Sequence, residues 1–135
     1  MSSNVDLVKS IYAAFARGDV PAVLATFDQD ISWQTPATLP WSTGDYHGPE
    51  GVAEYFGQFM TALTDPAIVT DEFLDAGDQV VVHGEERATS TATGRRFAAR
   101  FAHSWTLRDG RVTRMRAIID SATVRDSFTP ARVLT

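Results

Sequence analysis

The chain has 135 residues, which is enough for one domain with a hydrophobic core and too few for two comfortable ones. Hydrophobic residues make up 44% of it and charged residues 21%, and the net charge of −5 disfavours binding to nucleic-acid phosphates. Because the sequence contains no cysteine, disulfides, thiol nucleophiles and Cys-ligated zinc are excluded. We expect a single domain over residues 1–135 with no metal or other cofactor, so that any catalysis must use carboxylates, His, Tyr or Arg.

The sequence shows no targeting signal and no membrane segment. Its first stretch, MSSNVDLVKS, lacks the apolar core of a signal peptide, and no part of the chain approaches 18 consecutive apolar residues. We therefore expect a cytoplasmic protein that has no membrane partner.

In the N-terminal half, apolar spacing and capping residues predict two short helices, a strand, a long loop and a third helix. Gly18 suits the end of the first helix, and Asp19 with Pro21 predicts the start of the second, which should stop near Asp28. Pro49 falls in the first turn of the third helix. The predicted ranges are 5–15, 19–28 and 49–63 for the helices, 31–35 for the strand and 36–48 for the loop.

After residue 66 the apolar pattern changes to that of strands. Residues 67–76, 79–88, 95–107 and 111–120 are rich in Val, Ile, Thr, Phe and Trp. Gly-Asp, Thr-Gly and Asp-Gly turns separate these segments and predict a four-stranded antiparallel meander. The element order predicts an α+β fold, in which a pocket lined by the inner face of the sheet is the natural place for a ligand.

The last hairpin has two possible registers, which place its polar side chains differently. With a two-residue loop at residues 109–110, His103 faces Arg116, and Asp120 lies on the same inward face. With a three-residue loop and a Gly bulge, His103 joins Ala117 instead, and Arg116 and Asp120 move to the opposite face. Because a slip of one residue exchanges the faces, the sequence leaves both registers open.

Three stretches together resemble a known superfamily: YAAFARGDVPAVLATFDQDISWQTP, YHGPEGVAEYFGQF and HSWTLRDGRVTRMRAIIDSATV. They are similar to the SnoaL-like and ketosteroid-isomerase-like proteins of the NTF2-like superfamily, from about Val5 to Val124. The resemblance implies an α+β cone. In this cone a curved, mostly antiparallel sheet is covered by three helices from the N-terminal half, and the sheet and helices enclose a pocket. It also implies a homodimer built through the sheet. Fold is implied more than function, since this fold carries enzymes and binding modules alike.

The steroid-isomerase branch of the superfamily fits the sequence poorly. Its general-base Asp stands before the Pro that ends the first strand, and that position is Thr35 here. Its oxyanion-hole Tyr lies on the first helix at the position of Ile11, with Tyr12 one residue along and about 100° around the helix. Because a Thr hydroxyl cannot replace a carboxylate base near pH 7, steroid-isomerase chemistry is disfavoured.

Polyketide cyclases of the SnoaL type use an Asp near the end of the last strand, and Asp120 matches that place. The resemblance implies that Asp120 moves a proton at a carbon next to a carbonyl, promoting intramolecular aldol closure without a cofactor. Desolvation in an apolar pocket would raise the pKa of such a carboxyl toward neutrality. On this hypothesis Arg116 orients the carboxylate or opposes that shift, and His103 hydrogen-bonds the developing enolate.

Each catalytic candidate also has a structural explanation. Asp120 could cap a short C-terminal helical turn, for which Asp is a preferred residue. His103 could be an ordinary core histidine, and Arg116 a cross-strand partner. Two other functions stay open: a non-catalytic dimeric module that binds a hydrophobic small molecule, and epoxide-hydrolase-like hydrolysis, in which Glu85 would replace a missing second Asp.

The residues proposed to contact a small apolar ligand are mostly aromatic. Aromatic residues at helix and strand spacing more often belong to the core, but Trp41 and Tyr46 lie in the Pro/Gly-rich loop, which could cover the mouth of the cone. His83 and Glu85 alternate on one strand and could form a pocket pair. The full set is Trp33, Trp41, Tyr46, Phe56, Phe59, His83, Glu85, Phe101, Trp105 and Ile118.

Overall fold

The computed structural model describes residues 3–131. Within that part of the chain, helices and strands follow one another in the order ααββαββββα. The helices are α1 (Ser3–Ala16), α2 (Val20–Leu24), α3 (Gly48–Ala62) and α4 (Ser121–Ser127). The strands are β1 (Phe27–Gln34), β2 (Asp45–His47), β3 (Leu63–Ala76), β4 (Gln79–Ser90), β5 (Arg96–Arg108) and β6 (Arg111–Ile119).

The six strands form one curved, open sheet in the order β2-β1-β6-β5-β4-β3. The strands from β3 to β6 make the antiparallel meander that the sequence predicts, and β1 joins the far side of β6 as a parallel neighbour. Helices α1 and α3 pack against this sheet. The α+β architecture with a mostly antiparallel sheet is therefore confirmed.

Local sequence explains where two of the helices begin. The side chain of Asp19 accepts a hydrogen bond from the backbone N–H of Ala22 at 3.1 Å, so it caps α2 as the sequence predicts. Pro49 occupies the first turn of α3, where its missing N–H has no partner to lose. The second helix is shorter than predicted, because the buried Phe27 already pairs with Val112 at the start of β1.

Two strand boundaries also differ from the prediction. Part of the predicted loop 36–48 is β2, in which Tyr46 lies opposite Trp33 of β1. The strand predicted from residue 67 begins at Leu63, directly after α3. Pro66 is tolerated there because β3 is the edge of the sheet and its pairing is irregular between residues 64 and 67.

The last hairpin combines features of both predicted registers. Asp109 and Gly110 have φ values of 51° and 75° and form a two-residue turn, so Arg108 pairs with Arg111. The pairing then shifts after Leu107, because Thr113 is left as a bulge between the partners of Leu107 and Thr106. Beyond that bulge the pairs are those of the second register, with His103 opposite Ala117.

This bulge decides which side chains of β6 point inward. The partners of Trp105 and His103, Met115 and Ala117, share the inner face, whereas Arg116 lies on the outer face. The register that would bring Arg116 and Asp120 beside His103 is therefore wrong.

Candidate active site

An apolar cavity lies between the inner face of the sheet and helices α1 to α3. Its walls are mainly aromatic, and its titratable side chains are Tyr12, Tyr55, Glu86 and His103. Among residues 3–131, no Lys or Arg lines the cavity. The lining residues are Ile11, Tyr12, Phe15, Val23, Trp33, Tyr55, Phe56, Phe59, Ile68, Glu86, His103, Trp105, Met115 and Ala117.

Glu86 is a carboxylic acid enclosed in this apolar surrounding. It is 6% exposed and stands on β4, opposite Ile68 of β3 and Ala99 of β5. Among residues 3–131 its carboxyl group makes no hydrogen bond, and its Oε2 is fully buried. Burial raises the pKa of Glu86 to about 7, because the charged form is poorly solvated there. Both the acid and the carboxylate are therefore present near neutral pH.

The pattern of β4 explains why Glu86 points inward. Val80, Val82, Glu86, Ala88 and Ser90 are all buried and stand at even positions of the strand, so Glu86 is in phase with the core residues. Sequence reasoning selected the neighbouring Glu85 instead. The alternation from Val80 onward was the signal that identifies Glu86.

A glycine on the same face of β4 allows a neighbouring aromatic ring to pack close to the strand. A β-carbon at Gly84 would lie 2.2 Å from the carbonyl oxygen of Val69 and 2.7 Å from Cζ of Phe101. The ring of Phe101 therefore lies close over the backbone of Gly84, and it stacks on His103 with 4.1 Å between ring centroids. Phe101 is buried and supports His103, but it is not among the residues that line the cavity.

Three side chains form a hydrogen-bonded chain across the cavity. Trp105 donates its Nε1–H to the hydroxyl oxygen of Tyr12 at 2.9 Å, and that oxygen lies 2.7 Å from Nδ1 of His103. Burial lowers the pKa of His103 to about 3 and raises the pKa of Tyr12 above its usual range. The imidazole is therefore neutral at physiological pH.

The chain leaves one proton donor free. If Tyr12 donates to Nδ1, the neutral His103 carries its proton on Nε2, which has no partner among residues 3–131. If Nδ1 donates to Tyr12, the hydroxyl proton of Tyr12 is free instead. Sequence reasoning did not include Tyr12 in the site, although it borders the cavity together with Ile11. Its role depends on contacts with residues more than 90 positions away.

Comparison with known proteins now identifies the family. The family model for the SnoaL-like domain matches residues 8–115. The chain belongs to the SnoaL-like family. An uncharacterized protein of Mycobacterium tuberculosis is 26% identical over 126 residues, which is 93% of this chain and 95% of the relative.

Two solved structures extend this relationship to the NTF2-like fold. An NTF2-like protein of unknown function from Burkholderia pseudomallei is 31% identical, with a TM-score of 0.89 over 96% of this chain and 99% of the other. TerC, co-crystallized with polyporic acid, is also 31% identical, with a TM-score of 0.85 over 94% of this chain and 98% of the other. The superfamily indicated by the sequence is thus confirmed.

In this SnoaL-like protein, five of the sequence-predicted site residues line the cavity: Trp33, Phe56, Phe59, His103 and Trp105. Trp33 packs edge-on against Phe56 and Trp105, with interplanar angles of 69° and 76°. These residues therefore build a continuous aromatic wall.

Asp120 lies outside the cavity. It is exposed and caps α4, where it accepts hydrogen bonds from the Thr123 hydroxyl at 2.6 Å and the Thr123 backbone N–H at 3.2 Å. Both bonds lower the pKa of Asp120 below its usual value, and the bond from the hydroxyl has the larger effect. The expectation of a pocket carboxyl with a raised pKa is wrong for this residue, because the bulge in β6 and the start of α4 turn it to solvent.

Four further candidates lie on the outer face of the sheet. Arg116 donates from Nε to Oε1 of Gln34 at 3.2 Å. The supposed pocket pair separates into two surface contacts, since His83 lies 2.9 Å from Glu72, and Glu85 accepts from the Nε of Arg87 at 2.8 Å. The fourth, Ile118, is 71% exposed. The strand alternation that places Glu86 inside places all four outside.

The two aromatic residues of the 36–48 segment belong to the core rather than to the cavity wall. Trp41 is buried and donates its Nε1–H to the hydroxyl of Tyr55 at 3.3 Å. Tyr46 is buried in β2 and donates its hydroxyl to Oε1 of Gln58 at 2.6 Å. Both rings lie behind the cavity wall, because Trp41 packs against Phe59 and Tyr46 against Tyr55, and these two residues of α3 line the cavity.

The part of the chain that the structure describes shows neither a metal-binding cluster nor a membrane-spanning helix. Over residues 3–131, no three His, Asp or Glu side chains are arranged to hold a metal ion. No helix in the same range combines the length and apolar character needed to cross a bilayer.

Proposed function

We propose that this SnoaL-like protein is a cofactor-free enzyme that moves a proton at a carbon next to the carbonyl group of a small apolar compound. Glu86, rather than Asp120, is the acid and base. The observation that carries this proposal is the buried carboxyl group of Glu86, which borders the cavity with no hydrogen-bond partner among residues 3–131 and with a pKa of about 7.

The first step uses the carboxylate form of Glu86. It takes a proton from the carbon next to the carbonyl, so a C–H bond breaks and an O–H bond forms on the carboxyl group. The electron pair of the C–H bond moves onto the substrate and gives an enolate. A base whose pKa lies near the working pH is suited to this step, because it is largely ionised and still basic.

The negative charge of the enolate requires a hydrogen-bond donor. The chain of Trp105, Tyr12 and His103 supplies one on the cavity wall, as Nε2–H of His103 or as the hydroxyl of Tyr12. Because burial keeps His103 neutral, it can donate a hydrogen bond without transferring a full proton to the enolate.

The enolate can then react in two ways. If the substrate has a double bond conjugated with the enolate, protonated Glu86 can return its proton to the far end of the conjugated system, the double bond shifts, and the outcome is an isomerisation. If the enolate carbon attacks a second carbonyl of the same molecule, a C–C bond forms as the C=O π bond breaks, and the resulting alkoxide takes the proton from Glu86; the outcome is an aldol ring closure, as in a polyketide cyclase. The co-crystallization of TerC with polyporic acid makes polyporic acid a first compound to test for binding.

Exchange of carbon-bound hydrogen for deuterium tests the proposal without knowledge of the natural substrate. Apolar aryl ketones are incubated with the protein in D2O and followed by proton NMR. We expect exchange faster than in buffer, a loss of about 100-fold or more in Glu86→Gln, and no change in Glu85→Gln. If ketones that bind the cavity exchange no faster than in buffer, the protein is a binding module instead of this enzyme.

We also propose that the outer face of the sheet contacts a second copy of the chain. Ile118 is the residue on which this proposal can be tested, because its side chain is 71% exposed on that face and a second copy of the chain would cover it.

A further inference from the structure

The charge balance of the cavity is unusual. A buried carboxylate normally lies beside Lys or Arg or accepts several hydrogen bonds, because its isolated charge is expensive in an apolar surrounding. Within residues 3–131 Glu86 has neither kind of partner, and the cavity wall contains no Lys or Arg. No residue in the described range 3–131 supplies a positive charge to Glu86, so a cationic ligand is a natural partner for its carboxylate.

The walls around Glu86 are of a kind that favours cations. Trp33, Tyr55, Phe56 and Trp105 border the same cavity, and aromatic rings attract cations over their faces. Burial is the main cause of the raised pKa of Tyr55. Tyr55 also lies close enough to Glu86 that the carboxylate charge raises this pKa further. Trp33 packs nearly perpendicular to Phe56 and to Trp105, so the ring planes around the cavity point in different directions.

We propose that the cavity binds a small organic cation, an alkylammonium group, with ionised Glu86 as its counter-charge and the rings of Trp33 and Tyr55 as part of its cage. Such a ligand would block the proposed proton transfer, because it occupies the cavity and weakens Glu86 as a base. The inference shares Glu86 with the proposed function but requires no turnover.

The pH dependence of binding follows from the groups that face Glu86. These are Tyr12 of α1, Tyr55 of α3 and His103 of β5, while β1, β3 and β6 contribute uncharged residues to the wall. Burial raises the pKa of both tyrosines and lowers that of His103, so all three are neutral around pH 7. Cation binding should therefore strengthen as pH rises through about 7, where Glu86 loses its proton.

A pair of probes of nearly equal shape separates charge from size. Choline carries a quaternary ammonium, and 3,3-dimethyl-1-butanol is its neutral carbon counterpart. Binding is measured by titration calorimetry and by tryptophan fluorescence, since two of the three tryptophans, Trp33 and Trp105, line the cavity. At pH 8 we expect the wild-type protein to bind choline at least 10-fold more tightly than the alcohol. The preference should disappear in Glu86→Gln and persist in the matched control Glu85→Gln.

Wild-type protein alone provides a second test that does not depend on a variant. Its preference for choline should fall at least several-fold between pH 8 and pH 5.5. Equal affinities for the two probes at pH 8, no choline binding, or a preference that survives in Glu86→Gln would each overturn the inference. Choline binding without ketone exchange would leave the inference intact and reject the proposed function, and exchange without choline preference would do the reverse.

Discussion

Glu85 and Glu86 are consecutive residues of β4 whose carboxyl groups lie on opposite faces of the sheet. Glu85 forms a surface ion pair with Arg87, with 2.8 Å between Oε1 and Nε. Glu86 is enclosed in the aromatic cavity and has no hydrogen-bond partner in the described part of the chain. The two residues have the same side chain on opposite faces of one strand, so each substitution of Glu86 has a matched control at the next position.

The stability of Glu86→Gln should exceed that of the wild-type protein at alkaline pH. The pKa of Glu86 is about 7 in the folded protein against an ordinary value of 4.5, so the folded state holds this proton more tightly than the unfolded state. Stability is therefore lost as pH rises from 4.5 to 7, by up to about 3 kcal/mol. Denaturant unfolding at pH 8 and pH 4 measures this loss.

The gain in stability of Glu86→Gln over the wild type should be present at pH 8. It should be absent at pH 4, because at that pH both proteins are uncharged at position 86. Glu85→Gln should change stability little at either pH. Equal stability of Glu86→Gln and wild type at pH 8 would show that the carboxylate is solvated or paired.

The rate of proton transfer should follow the ionisation of Glu86. We expect the deuterium-exchange rate to rise with pH, to be half-maximal near pH 7 and to level off above it. His103 and Tyr12 should add no second ionisation step to the rate profile in this range. The pKa of His103 is lowered out of the range, and the pKa of Tyr12 is raised out of it. A rate profile without a midpoint near pH 7 would exclude Glu86 as the base.

Tyr12→Phe should disturb the hydrogen-bonded chain of Trp105, Tyr12 and His103 and change the tautomer of His103. The change removes the acceptor of Trp105 and the partner of His103 Nδ1, and an unsatisfied buried donor costs about 1–3 kcal/mol. Nitrogen-15 NMR of His103 reports which ring nitrogen carries the proton. We expect a changed tautomer population and exchange slowed by about 10-fold or more. Unaltered His103 spectra would show that Tyr12 does not set the tautomer.

Asp120→Asn should leave both folding and turnover close to those of the wild type. Asn is as good an N-cap as Asp, and Asp120 is remote from the cavity lining. Asp120→Ala should lower the melting temperature, because Thr123 loses both hydrogen bonds. Loss of deuterium exchange in a folded Asp120→Asn protein would return the catalytic role to this residue.

Ile118→Arg should disrupt the proposed dimer. The side chain stands on the outer face of β6, where a new charge would have to lose its hydration on contact with a second copy of the chain. Size-exclusion chromatography with light scattering should show a dimer for the wild type and a monomer for this variant. Met60→Arg is the control, because Met60 is also exposed, at 53%, but lies on α3. A wild-type monomer, or equal effects of the two substitutions, would reject the sheet interface.

Local patterns in the sequence determined the elements and the superfamily. Helical spacing, the Asp19 cap and the hairpin turns depend on residues near one another, so α1, α3 and the meander followed from them. The inward position of Glu86 was also readable, because it is in phase with Val80 and Val82. What the pattern did not show is that none of the described residues around the cavity brings a positive charge to Glu86.

The tertiary structure decided the site. A bulge at Thr113 placed Arg116 outside, and the start of α4 turned Asp120 to solvent, although both match a pocket role in sequence. The contact of Tyr12 with His103 joins a helix and a strand that are 91 residues apart. Period and capping are short-range properties of the chain, whereas register and the convergence of distant side chains are set by packing, which no local pattern specifies.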